Sequence, residues 1–128
     1  MITQAIQIKE IIEPIPADKF QTHLYGHSPD AIIDPDLSVD IHNIGPEDNG
    51  KSCFIGHINR HINPELKGKG STDGFGARQL TSKFLREKYD HYGDGASVNN
   101  RDDVNGYNEP EIKDRIMHML NDMILAGY

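Results

Sequence analysis

Cysteine is nearly absent from this chain. Among its 128 residues only Cys53 is a cysteine, so an internal disulfide is excluded and a reducing compartment is expected. Long hydrophobic runs are missing too: no stretch approaches the roughly 20 apolar residues that cross a bilayer, and the first residues lack the pattern of a signal peptide. These absences predict a cytoplasmic protein that does not enter a membrane.

Basic residues are also few. The 13 Lys and Arg side chains are outnumbered by 20 Asp and Glu side chains, which gives a net charge of −7. Such a charge opposes general binding to duplex nucleic acid or to anionic lipid, because both present negative phosphates. It is compatible with a basic protein as partner, so an acidic protein-binding inhibitor or structural adaptor is one hypothesis.

Length and composition predict one globular domain over residues 1–128. Hydrophobic residues make up 36% of the chain and charged residues 26%, which is typical of a folded protein rather than a disordered one. A domain of this size buries enough apolar surface to fold without disulfides or a structural metal.

The first two thirds of the chain show β-like patterns. Residues 2–12 carry isoleucine at most even positions, which predicts a half-buried strand, and Pro16 can open a short helix that contains Phe20 and Leu24. Alternation at Leu37, Val39 and Ile41, followed by a turn-rich segment and an apolar run over 51–58, predicts an antiparallel hairpin.

The last third is predicted to be helical. A helix is expected from Ala77. The connection over 93–108 is long for a structureless segment in a compact domain and indicates a binding loop or a flexible loop. A helix is then expected over 109–126, with Asn108 as N-cap and Gly127 after its end. Both helices carry apolar stripes that need a common core. The expected fold is therefore α+β: a small antiparallel β-sheet packed against two C-terminal α-helices.

Two histidine pairs have a spacing that could hold a metal ion. His57 and His61, and likewise His23 and His27, are four residues apart, which brings two imidazoles together only on a helix. Because 51–58 has a β-like pattern, four residues would span about 13 Å, too far for one ion. A metal-dependent hydrolase that uses histidines therefore stays a minor alternative, and no metal site, cofactor or catalytic residue is predicted.

Two other candidate sites are weaker. The alternating acids that begin at Asp34 lack the glycine and glutamate that an EF-hand loop needs at its sixth and twelfth positions. Cys53 has Lys51 as its only nearby cation, so we expect it to pack in the core rather than act as a nucleophile.

The segment 67–78 combines glycines, hydroxyls, cations and an aromatic ring just before a predicted helix. Glycines allow close approach to a ligand, N–H groups at a helix start favour an anion, and a cation neutralises it. The segment matches neither a P-loop nor a dinucleotide-binding fingerprint, and a flexible linker is the alternative interpretation. The predicted ligand-binding residues are Lys67, Lys69, Ser71, Thr72, Phe75 and Arg78, together with Arg101 from the 93–108 connection.

These patterns favour a non-catalytic binding protein for a small phosphorylated or nucleotide-like ligand. A viral counter-defence protein that sequesters a signalling nucleotide would need only these features. The methionine-rich C-terminal helix could also pair two copies of the chain, so a homo-oligomer is a further expectation.

Overall fold

The computed structural model describes residues 2–22, 50–66, 76–100, 104 and 106–128. Helices contain 64% of these residues, and no sheet is present among them, so the predicted α+β fold is wrong for the described part of the chain. The one β-type pairing in the described part of the chain is an isolated parallel bridge between Phe20 and Ser52. The α-helices are α1 (Gln4–Ile12), α2 (Phe54–Ile62), α3 (Ala77–Tyr89), α4 (Gly95–Asn99) and α5 (Ile112–Leu125), and 3₁₀ helices cover Ala17–Lys19 and Pro64–Leu66.

Helix α1 replaces the strand predicted for residues 2–12. Its buried residues are Ala5, Ile8 and Ile12, which follow the helical period of three and four rather than the alternation of a strand. The Oγ1 atom of Thr3 accepts a hydrogen bond from the N–H of Ile6 and caps the helix. The alternating isoleucines are therefore spread around a helix, and Ile2 is largely exposed.

Helix α2 replaces the second arm of the predicted hairpin, whose first arm lies outside the described residues. All residues from Ser52 to Asn59 are buried, including the polar Ser52, His57 and Asn59, whereas the last turn of the helix from Arg60 onward is partly or fully exposed. Its first N–H group, that of Phe54, donates to Oδ1 of Asn99 in α4 at 3.0 Å. A capping group this distant in sequence stabilises a helix where the local pattern predicts a strand.

Helix α3 confirms the helix predicted from Ala77, with Gly76 as its N-cap at a φ of 71°. Helix α4 lies within the connection 93–108, which was predicted to be a binding loop or a flexible loop. Asp94 and Ser97 form a capping box at its start, and the N–H of Gly95 donates to Oγ1 of Thr81 at 2.8 Å. Gly95 is required here because a Cβ atom would lie 2.5 Å from the ring of Phe54.

Helix α5 confirms the predicted C-terminal helix, and Gly127 follows it with a φ of 85°. The predicted N-cap, Asn108, is wrong. The N-cap is Glu111, whose side chain makes no capping hydrogen bond, and the helix begins at Ile112. The buried stripe is as expected from the spacing: Ile116 and Leu120 are fully buried, and Ile112 packs against the core.

One hydrophobic core includes residues of all five α-helices. Helix α5 packs against α1 and α4, α2 packs against the same two helices, and α3 packs against α4. The buried guanidinium of Arg115 joins α4 to the start of α5 by donating to the carbonyl oxygens of Val98, Asn99, Glu109 and Pro110 at 2.6–3.1 Å. Among the described residues, every helix is too short or too polar to cross a bilayer.

Candidate functional site

An open cleft of about 370 Å³ lies between the end of α1, the 3₁₀ helix Ala17–Lys19 and the second half of α2. Its size falls within the range of about 300–1,000 Å³ that is usual for small-molecule sites. Its lining contains both aliphatic and nitrogen-bearing side chains. The described residues that line the cleft are Ile11, Ile15, Lys19, Gly50, His57, Arg60 and His61.

Helix α2 supplies the basic wall. His57, Arg60 and His61 stand at positions i, i+3 and i+4, which share one face of a helix. His57 is buried at 4% exposure, whereas His61 near the end of the helix is exposed. The helical fold of this segment, rather than the predicted strand, brings the three side chains to the cleft.

The buried imidazole of His57 joins the two sides of the cleft. Its Nε2 donates to the carbonyl oxygen of Lys19 at 2.6 Å, and its ring lies 4.6 Å from the ring of Phe20. Burial lowers the pKa of His57 to about 4 against the opposing effect of that hydrogen bond, and the charge of Arg60 lowers it further. His57 is therefore neutral at neutral pH and serves as a fixed contact between α2 and the Lys19 backbone.

Arg60 is held in place by the segment before α2. Its Nε donates to Oγ of Ser52 at 2.7 Å, and one terminal nitrogen lies 3.4 Å from the carbonyl oxygen of Lys51. Ser52 in turn exchanges backbone hydrogen bonds with Lys19 and Gln21. The Phe20–Ser52 bridge thus brings Lys19 and Arg60, which are far apart in sequence, to the same cleft.

The described residues that line the cleft include a lysine, an arginine and two histidines. Lys19 and Arg60 carry positive charges at neutral pH, and His61 adds an imidazole, within a chain whose net charge is −7. Gly50, with a φ of 75°, lies beside Lys19: a Cβ atom there would stand 3.8 Å from the Lys19 ammonium. Ammonium, guanidinium and imidazole groups are hydrogen-bond donors that suit an anionic ligand.

Most of the binding residues predicted from sequence lie outside the described residues. This applies to Lys67, Lys69, Ser71, Thr72, Phe75 and Arg101. Arg78 is described: it lies in the first turn of α3, its side chain is half exposed, and its Nε is 3.8 Å from Oδ2 of Asp94. Arg78 is not among the residues that line the cleft, so the cleft and the predicted 67–78 site are separate hypotheses.

The argument against a metal site at His57 and His61 rested on a strand, and that premise is wrong. Both residues are on one face of α2, but Nε2 of His57 already donates to Lys19. Among the described residues, no group of three or more His, Cys, Asp or Glu side chains is arranged to hold a metal ion. His23, His27 and the acidic run from Asp34 lie outside those residues.

Cys53 has a structural position at the start of α2. It is 2% exposed, and its Sγ accepts a hydrogen bond from the N–H of Gly56 at 3.4 Å. Burial raises the pKa of the thiol, which opposes formation of the nucleophilic thiolate.

A second polar cluster, which sequence reasoning missed, lies on α5. Nδ1 of His118 is 2.6 Å from Oε1 of Glu109, and the hydroxyl of Tyr107 donates to Oδ2 of Asp122 at 2.7 Å. Burial raises the pKa of Tyr107, and its hydrogen bond to Asp122 adds to the effect. These hydrogen bonds hold residues 107–109 against α5. The four-residue spacing of His118 and Asp122 on a predicted helix could have indicated part of it.

No family model, curated protein or solved structure matches this chain. The cleft and its charges are therefore the basis for a functional proposal.

Proposed function

We propose that the protein binds a small phosphorylated or nucleotide-like ligand in the cleft between α1 and α2, without chemical turnover. The observation that carries the proposal is the convergence of Lys19, Arg60 and His61 on one concave surface of an acidic chain. Phosphate oxygens accept hydrogen bonds from ammonium and guanidinium groups, and these charge-assisted bonds are stronger than neutral ones. A protein that binds such a ligand without converting it acts by sequestration.

The construction of the cleft supports a preorganised site. Arg60 is oriented by Ser52, and the carbonyl of Lys19 is fixed by both His57 and the N–H of Ser52. Binding to a preorganised site avoids part of the entropy cost of ordering long side chains. Lys and Arg are among the residues that lose the most side-chain entropy when they are ordered.

A thermal-shift screen over phosphates, nucleotides, metal ions and polyanions identifies the ligand class, because a ligand that binds only the folded state raises the melting temperature. Calorimetry on Lys19→Gln then tests the cleft. This substitution removes the ammonium but keeps the Lys19 carbonyl that bonds His57 and Ser52. Since a hydrogen bond to a charged group contributes roughly 1.5–3 kcal/mol, we expect affinity to fall about ten- to a hundredfold.

Lys83→Gln is the matched control. Lys83 is an exposed lysine of α3, 3.8 Å from Glu87, and is not among the residues that line the cleft. The Lys83→Gln substitution should leave the affinity for the ligand unchanged. Equal affinity of wild type, Lys19→Gln and a His61→Gln variant would contradict the proposal, as would stabilisation by metal ions or basic proteins alone.

A further inference from the structure

Ser52 holds a residue of the cleft without being one of the described residues that line it. Its side chain is fully buried, and its Oγ accepts a hydrogen bond of 2.7 Å from Nε of Arg60, which does line the cleft. A side chain outside a binding site can control the site through the residue that it orients. Ser52 therefore has the position of a residue that acts on a ligand through Arg60.

The backbone of Ser52 is fixed by hydrogen bonds on both sides. Its N–H donates to the carbonyl oxygen of Lys19 at 3.0 Å, and its carbonyl oxygen accepts from the N–H of Gln21 at 3.1 Å. Asn99 of α4 reinforces this pairing, because its amide donates to the carbonyl oxygen of Gln21 and accepts from the N–H of Phe54. The hydroxyl of Ser52 is thus an acceptor at a fixed place just before α2.

Arg60 reaches this acceptor from the second turn of α2. Side chains of a helix lean toward its N-terminus, so a long arginine side chain can cover the preceding turn. The guanidinium is planar. The bond from Nε to Ser52 and the contact of a terminal nitrogen with the Lys51 carbonyl, at 3.4 Å, therefore fix its plane as well as its position. An arginine held in this way has lost rotamer freedom before a ligand binds.

We propose that Ser52 is a positioning residue of the cleft: its hydroxyl orients Arg60, and through Arg60 it raises the affinity for a phosphorylated ligand. This inference rests on the proposed function and adds to it a residue that does not contact the ligand. Without the hydroxyl, Arg60 has to be ordered when the ligand binds, and the entropy cost of that ordering weakens binding. For one arginine we expect affinity to fall about five- to tenfold.

Calorimetry on Ser52→Ala with phenyl phosphate, a small phosphate monoester, tests the proposal. The substitution removes Oγ but keeps the backbone groups that bond Lys19 and Gln21. Phenyl phosphate should bind about five- to tenfold more weakly than to wild type, and Ser52→Thr, which keeps a hydroxyl, should recover most of the loss. Ser82→Ala is the matched control, since Ser82 lies on α3 and is not among the described residues that line the cleft.

An Arg60→Lys background separates positioning from a general loss of structure. Lysine keeps the positive charge but lacks the planar guanidinium that Ser52 orients, so adding Ser52→Ala to Arg60→Lys should change the affinity by less than about twofold. The ¹⁵Nε–H signal of Arg60 gives a readout that needs no ligand. This N–H should be protected from exchange with water in wild type and lose that protection in Ser52→Ala.

Urea unfolding establishes that Ser52→Ala is folded, and Ser52→Cys, whose thiol is only a weak acceptor, replaces it if it is not. Equal affinity of wild type and Ser52→Ala for phenyl phosphate would overturn the inference and leave the proposed function standing. The same holds if Ser52→Ala weakens binding as much in Arg60→Lys as in wild type, because Ser52 would then not act through Arg60. Absence of phenyl phosphate binding to wild type would overturn the proposed function and the inference with it.

Discussion

At the scale of single residues, the buried imidazole of His57 makes stability depend on pH. The pKa of His57 is lowered from 6.5 to about 4 in the folded protein, so at intermediate pH the unfolded chain binds the proton more readily. The contribution of His57 to stability is thus complete above about pH 6.5 and declines as the pH falls toward 4. A pKa change of this size corresponds to roughly 3 kcal/mol.

Urea unfolding at pH 7 and pH 4.5 of wild type and a His57→Gln variant measures this effect. Carboxylates titrate in the same range in both proteins, so the difference between the two pH dependences isolates the imidazole. We expect wild type to lose more stability than the variant on acidification. Equal losses would show that His57 takes up its proton as easily in the folded protein as in the unfolded chain.

Arg115 gives a second prediction at the residue scale. Its guanidinium is 2% exposed and donates to four carbonyl oxygens, which include those of Val98 and Asn99 in α4. Arg115→Met keeps the aliphatic length but leaves these carbonyls without the guanidinium. We expect a loss of roughly 3 kcal/mol or more, since each hydrogen bond to a charged group contributes about 1.5–3 kcal/mol.

Hydrogen exchange should locate that loss of stability in α4. The amides of α4 should lose more protection in Arg115→Met, relative to wild type, than the amides of α1 do. Lys113→Met is the matched control, because Lys113 makes an exposed hydrogen bond to the Glu13 carbonyl. Unchanged stability of Arg115→Met would contradict the role given to the guanidinium.

At the scale of elements, sequence patterns predicted α3 and α5 and missed α1, α2 and α4. Helices α3 and α5 each carry a polar face, so the helical period stands out. Helix α2 is buried over most of its length, and its first N–H is capped by Asn99 of α4. The contact between Phe54 and Asn99 joins residues 45 positions apart, so the local sequence does not reveal it.

The strand predicted for residues 2–12, where the structure has α1, was wrong for a different reason. Residues 2–12 fit two hydrophobic periods. The alternating isoleucines have the two-residue period of a strand, whereas Ala5, Ile8 and Ile12 have the three- and four-residue spacing of a helix. A small residue such as Ala5 gives a weak hydrophobic signal although it is fully buried. The cap at Thr3 was the local feature that could have favoured the helix.

Leu120→Ala tests the packing of α5. Leu120 is fully buried in the core, so the variant should lose about 2–5 kcal/mol of unfolding free energy. Asn121→Ala, one position further on the exposed face, should change stability by less than about 0.5 kcal/mol. Similar small losses in both variants, measured by urea unfolding, would remove α5 from the core.

At the scale of the whole molecule, the candidate site depends on contacts that no single segment reveals. The spacing of His57 and His61 was noticed but set aside, because their segment was predicted to be a strand. Lys19 was not considered at all, since only the Phe20–Ser52 bridge brings it beside Arg60. The glycine-rich segment 67–78 stays a prediction, and Arg78, near Asp94, is the one predicted binding residue of this segment among the described residues.

The most direct test of the account is an NMR titration of the ¹⁵N-labelled protein with phenyl phosphate, followed at backbone amides. Binding in the cleft predicts saturable shifts that centre on Lys19, Gly50 and His61, and that are lost in Lys19→Gln. Shifts that centre instead on Gly76–Arg78 would place the ligand at the glycine-rich segment and contradict the cleft, as would the absence of saturable shifts anywhere in the protein.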